Sequence, residues 1–460
     1  MAEQRGFGVL FVVMAAVLAS CRASAASVYF IAPDGADDAD GTRERPFATV
    51  ERAQRAIRQL KTSGNYPAGG VTVFIRGGRY PMAPGLSFDE YDSGEPGSPV
   101  TWRAYRGESP VFDGGWRVPE LKPVEDAAAL ASIPPVARGH VRCCDVKAAG
   151  YEPDVAVASR GRRQAAARPR PVDLYGDGVR LTPARDAGGD FGCPIEKPGE
   201  WRIDSASGVL YVWPPEGCRE LVLSDFPETF LEAVKLHDVR FGGLTFEYGR
   251  WDAARLTMCR NIQFAKNTIR NFGRHGITAG AAHNVRITGG RLACLGGMGV
   301  SVSGGDRGTL AKSESVVSDN EISFAGQRAR AFAPGLCLGG CGFEVMRNHI
   351  HDMPSSAVHV EGCDCRIVSN VVERVAASSD GRGGIDICGA SPCSGVLVSE
   401  NTFRDVGVPA GADGARAADV PGGDIPGVTV SSNVRERCAR ACVSRSPLDC
   451  GFRLRGVGGR

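Results

Sequence analysis

Residues 336–389 read LCLGGCGFEVMRNHIHDMPSSAVHVEGCDCRIVSNVVERVAASSDGRGGIDICG, a run in which short alternating apolar stretches return with an Asn beside them. Outward from it, the motifs GLTF, NTI, GRL, NEI, NHI, NVV and NTF begin at Gly243, Asn267, Gly290, Asn320, Asn348, Asn370 and Asn401. Successive starts lie 24, 23, 30, 28, 22 and 31 residues apart. A period of this size carried by strands is the pattern of a β-solenoid, each coil stacked on the last. An Asn returning at one station predicts a ladder of stacked amides along the axis. Those residues are framework.

A second alignment sets HGITAG, MGVSVSG, GLCLGG, AVHVEG and GIDICG in register. Period-two alternation then turns Ile277, Val300, Leu336, Val358 and Ile385 inward, and Thr278, Ser301, Cys337, His359 and Asp386 outward in one column. Coils stack ~4.8 Å apart, so His359 and Asp386 are expected as direct neighbours with Glu361 close by. A His beside carboxylates is poised for proton transfer. A surface hydrogen-bonded ladder would use the same residues.

A further column, four residues after the Asn station, holds Asn271, Cys294, Phe324, Asp352, Arg374 and Asp405. Asp352 and Asp405 are expected ~9.6 Å apart with Arg374 between them, near the roughly 6.5–9.5 Å carboxyl separation of inverting glycosidases. An Arg between two acids is equally the pattern of a stabilising salt-bridge ladder.

Composition agrees with many tight coils: 460 residues, 43% hydrophobic, 61 glycines and only 7% aromatics. A net charge of +2 gives no electrostatic case for nucleic acid. SRGRRQAAARPRP reads as an exposed loop or a polyanion-binding patch. The N-terminus has Arg5, an apolar run over Val9–Leu18 and small residues near Ala25, a secretory signal too short to span a membrane. Leu18, Ala19, Ser20 and Cys21 alternatively resemble a lipobox, with a lipid anchor at Cys21. Sixteen cysteines in an exported chain are expected as disulfide staples or as small fillers of the stack, and no zinc-finger spacing appears among them.

Taken in order, SVYFIA is a strand, and FATVERAQRAIRQL places Phe47, Val50, Ala53, Ile57 and Leu60 at helical spacing. VTVFIRGGRY and PVTWRAYRGESPVFDGG follow as strands. This opening resembles that of secreted right-handed parallel β-helix proteins of the pectin-lyase-like superfamily, particularly glycoside hydrolase family 141. The resemblance implies a helix capping the N-terminal end of the solenoid and a β-rich segment inserted after its first turns. The expected organisation is therefore all-β: a signal peptide over 1–26, cap and first coils over 27–115, the insert over 116–233, the main body over 234–406, and an irregular, disordered or truncated tail over 407–460, in which one strand, GVTVSSN, is a candidate last coil.

NHIHDMPSSAVHVEG and SSDGRGGIDICG resemble the family's site segments, which implies Asp352, Asp380 and Asp386 as catalytic acid and base candidates. His351, His359, Glu361, Arg374 and Asp405 are the expected substrate-binding residues. The family carries an aromatic where Asp386 stands, which leaves that subsite open. The expected function is an exported, monomeric glycoside hydrolase cleaving a cell-wall polysaccharide with paired carboxylates and no cofactor or metal. The alternatives are a polysaccharide lyase, which would need calcium, and a non-catalytic glycan-binding or adhesin-like β-helix.

Overall fold

In a computed structural model of the chain the repeats form a right-handed parallel β-helix, each coil giving one strand to each of three sheets. The structure describes residues 26–151, 172–184, 194–204, 207–329, 332–375, 383–388, 394–407, 427–438 and 442–446. Among them, sheet A has eleven strands, sheet B ten and sheet C nine. The expected leader, Cys21 and the Arg-rich stretch all lie outside the described residues. Among the described residues no helix is long and apolar enough to cross a membrane.

Alternation builds the interior. On sheet C, Leu231, Ala254, Ile277, Val300, Leu336, Val358 and Ile385 stack in register, and all are buried. Rings join the column in the early coils, where Phe88 meets Trp102 and Phe241 edge-on at 5.5 and 5.4 Å.

Corners are single residues in the left-handed region. Lys266, Asp319, Arg347, Ser369, Glu400 and Ser432, with φ between 54° and 60° at all but Arg347 (52°), each precede a ladder Asn. A second corner, at the end of sheet B, stacks Tyr248, Asn271, Cys294, Phe324, Asp352, Arg374, Asp405 and Arg437, all with positive φ. That conformation costs a non-glycine residue about 1–2 kcal/mol. The amide ladder offsets it: the Asn348 backbone N–H and Nδ2 both donate to Asn370 Oδ1 at 3.0 Å, and Asn370 Nδ2 donates to Asn401 Oδ1 at 2.9 Å.

The insertion leaves the stack unbroken. Val100 pairs with Val239, Phe112 with Phe246 and Leu86 with Leu231, so the coils on either side of it are direct neighbours. Between them the chain makes separate sheets of four and five strands with their own core around Trp201, Leu210 and Leu223. The body resumes at Leu231 rather than at 234, since Leu231–Val234 already pairs within sheet C. The helix Val50–Thr62, capped by Thr49, buries Val50, Ala53, Ala56 and Ile57 in the solenoid core, as expected of a cap.

Two expectations are corrected. Within the tail, Val428–Ser431, Val434–Glu436 and Val443–Ser446 pair in parallel with sheets A, B and C and complete another coil. Asn433 adds a ladder rung, its Oδ1 accepting from the Asn401 backbone N–H at 2.9 Å. Where staples were expected, no disulfide joins two cysteines among the described residues. Cys337, Cys341, Cys363, Cys365 and Cys388 are buried in the stack, where a thiol packs as a small apolar group.

Candidate active site

The outer face of sheet C carries the most concentrated ionisable chemistry in the upper coils. Cys337, His359 and Asp386 pair in register on successive strands, so strand order alone brings His and Asp together. His359 Nδ1 lies 2.9 Å from Asp386 Oδ2, and its Nε2 lies 3.3 Å from Glu361 Oε1. The column points away from the coil interior, as alternation requires, yet it is closed to solvent: His359 is 0% exposed, Asp386 1% and Glu361 5%. An imidazole between two carboxylates donates both ways only as the cation; otherwise one carboxyl holds the proton.

Lower on the same face the sheet is open. A groove of about 490 Å³ has Thr278, Ser301 and Ser303 on its floor, and the turns leading from sheet B to sheet C form its wall. In that wall the Arg274 guanidinium lies 4.6 Å from the Trp251 ring centroid. Asp252, almost fully buried, accepts from Arg255 Nη2 at 2.8 Å and from the His275 backbone N–H at 3.2 Å. Ser303 shares a column with Glu361, and the residue between them is Gly339, so no side chain separates the groove from Glu361 along that line. Sequence reading missed Trp251 and Asp252, which sit in turns that carry no period.

The expected pairing of Asp352 with Asp405 is replaced by two ion pairs. Asp352 takes a bidentate contact from Arg374, Nε to Oδ1 at 2.7 Å and Nη2 to Oδ2 at 2.8 Å, and Asp405 pairs with Arg437 at 2.8 Å. The corner column thus alternates acid, base, acid, base, and in-register stacking matches opposite charges. Arg437 lies in the last coil among the described residues, outside the repeat as read from sequence. His351 Nδ1 stands 2.6 Å from Asp352 Oδ2, and its ring is 4.3 Å from that of His349. These residues sit at the end of sheet B, away from the sheet C column. Asp380 lies outside the described residues.

Arg374, and after it His351, hold the Asp352 carboxyl down at about 2, so at neutral pH it is an anion with both oxygens engaged and no proton to donate. A depressed carboxyl stabilises the fold above its unfolded value near 3.9 and loses that contribution as pH falls through about 2. With the Arg374 side chain 45% exposed, screening reduces the effect to ~1 kcal/mol. Asp352→Asn should lower stability by that amount at pH 7 and flatten the pH dependence of unfolding between about 4 and 2, measured by urea denaturation.

A second cavity, of about 580 Å³, opens on the seam between insert and solenoid, lined by Arg180 and Thr182 from one side and Gln327, Arg328 and Pro354 from the other. Asp173, 2% exposed, spans the seam: it pairs with Arg180 and takes Arg328 Nε and Nη2 at 3.1 and 2.7 Å. This ion cluster pins the insert over the sheet B to sheet C turns. It joins residues 155 apart in sequence, a separation no local motif records. Among the described residues no three of His, Cys, Asp and Glu come together as a metal site.

Comparison with curated proteins finds 36% identity over 90 residues to a protein described as pectate lyase PEL9, from Emericella nidulans. It also finds 34% identity over 85 residues to the uncharacterized protein YwoF, from Bacillus subtilis. The first match takes in 20% of this chain and 19% of that protein, the second 18% and 15%. The chain thus spans under a fifth of the length of the curated relatives it matches. Among solved structures, one described as a glycoside hydrolase superposes with a TM-score of 0.66, over 91% of this chain and 96% of the other, at 15% identity. That is a likeness of fold. No family model matches.

Proposed function

We propose that the chain is a carbohydrate-active enzyme, and within that class a glycoside hydrolase that holds a polysaccharide along the outer face of sheet C. The observation that supports this most is the buried Asp386, His359 and Glu361 set, lying on the same face as an open groove. Cleaving a glycosidic bond by water requires a proton delivered to the leaving oxygen and one taken from the water. Glu361, in the column of the groove residue Ser303, takes both roles in turn: it gives its proton to the leaving oxygen and, once ionised, takes one from the water, so it ends protonated as it began. His359 passes protons between Glu361 and Asp386, and Asp386 fixes the ring and balances its charge. With Asp352 tied to Arg374, the work expected of paired carboxylates passes to Asp386 and Glu361.

The likeness to a glycoside hydrolase structure supports the fold that carries this chemistry, while activity on such a fold is decided by the site. An extracellular location, expected from the N-terminal apolar run, suits a polymeric substrate. The test is release of new reducing ends from a panel of plant and algal cell-wall polysaccharides; a panel left wholly uncleaved removes the reading. One observation favours a second reading, β-elimination: the local match to a protein described as a pectate lyase. Calcium-dependent release of an unsaturated product would mark it. In either case Trp251→Ala should raise KM about tenfold, with kcat within about twofold, because the ring bounds the groove without touching the acid–His–acid set.

A further inference from the structure

The outer face of sheet A, on a different side of the solenoid, carries a trough of about 480 Å³ whose lining carries more cations than anions. Register explains its shape. One outward column runs Arg103, Gly242, Ala265 and the next runs Thr101, Arg240, Gln263, so two small residues leave a channel beside a row of long polar ones. Arg103, Arg106, Arg240 and Lys266 line it, against a single acid, Glu108. That acid is already engaged, accepting from Arg76 Nε at 2.9 Å. Among the described residues none of the four lining cations forms an ion pair with an acid, and all four are exposed. In a chain whose net charge is only +2, so local an excess of cations is a feature of this face.

We propose that this trough binds an anionic glycan, a chain bearing carboxylate or sulfate groups, independently of the groove on sheet C. The cations meet its charged groups, Thr101 and Gln263 offer hydrogen bonds to its hydroxyls, and Gly242 and Ala265 let the sugar rings approach the sheet. A nucleic acid fits less well. Base binding needs free aromatic faces, and the ring at the trough's edge, Tyr105, has the Arg43 and Arg76 guanidiniums 5.5 and 5.3 Å from its centroid.

The full-length protein should bind polygalacturonate or dextran sulfate, and not neutral dextran, with affinity falling steeply as salt rises from about 50 to about 500 mM. Which of the two polymers binds identifies the charged group. The double variant Arg103→Ser, Arg240→Ser should weaken that binding at least about tenfold while the thermal midpoint moves by about 2 °C or less, since both side chains are exposed. His359→Gln, which should stop turnover, should leave the binding intact, so failure of the catalytic reading and failure of this one are separable. Equal binding of neutral dextran, an unchanged affinity in the folded double variant, or displacement of the glycan by a single-stranded oligonucleotide of equal charge would each overturn the proposal.

Discussion

Glutamine in place of His359 should lower turnover on the cleaved polysaccharide by about three orders of magnitude, the scale of losing a positioned proton-transfer group. Glutamine fills much of the ring's space and hydrogen-bonds to a carboxylate, but it cannot carry a proton between Asp386, 2.9 Å from Nδ1, and Glu361, 3.3 Å from Nε2. Asp386→Asn should show nearly the same loss, and the double variant should be little worse than either alone, because the groups act as a unit. The rate effect must be read beside stability. His359 is buried with a carboxylate contact on each ring nitrogen, so its loss removes both contacts and a lower unfolding midpoint is expected in His359→Gln. If both variants keep more than about a tenth of wild-type kcat while folded, the set is structural and the catalytic groups lie elsewhere.

Asn370→Ala should cost about 3–5 kcal/mol, the largest effect of any single substitution outside the apolar core. The Asn370 side chain is the middle of the ladder. Its Oδ1 takes both the backbone and side-chain donors of Asn348 at 3.0 Å, and its Nδ2 reaches the Val345 carbonyl at 3.0 Å and Asn401 Oδ1 at 2.9 Å. Alanine leaves these buried groups without partners, and the preceding residue, Ser369 at φ 57°, loses the contacts that hold the corner. Urea denaturation should show the lower midpoint, with limited proteolysis beginning in the coils after 370. A loss below about 1 kcal/mol would mean that strand pairing, and not the amides, carries the corners.

Much of this was legible in the sequence because a solenoid writes its geometry locally. The Asn spacing sets the coil, and period-two alternation by itself puts His359 beside Asp386. What alternation cannot supply is what packs over a strand: the same residues could have been exposed, and they are buried. Arg437 went unrecognised because its coil lacks the apolar weight of the others, so Asp405 looked free to pair across Arg374 when it had a guanidinium of its own. The seam between Asp173 and Arg328 lay beyond reading for another reason. It depends on how a separately folded insert docks, a tertiary fact with no repeat behind it.

Gly115 and Ser224, at the two ends of the insert, are paired residues on adjacent antiparallel strands. The segment between them enters and leaves the solenoid through a single doorway, and the coils below and above register as though nothing intervened. Closing such a doorway costs entropy that grows only slowly with the length of chain beyond it. The roof over the sheet B to sheet C turns is therefore an exchangeable part. A lineage of such proteins could refit it for a new glycan while every coil, ladder rung and corner beneath stayed as it was.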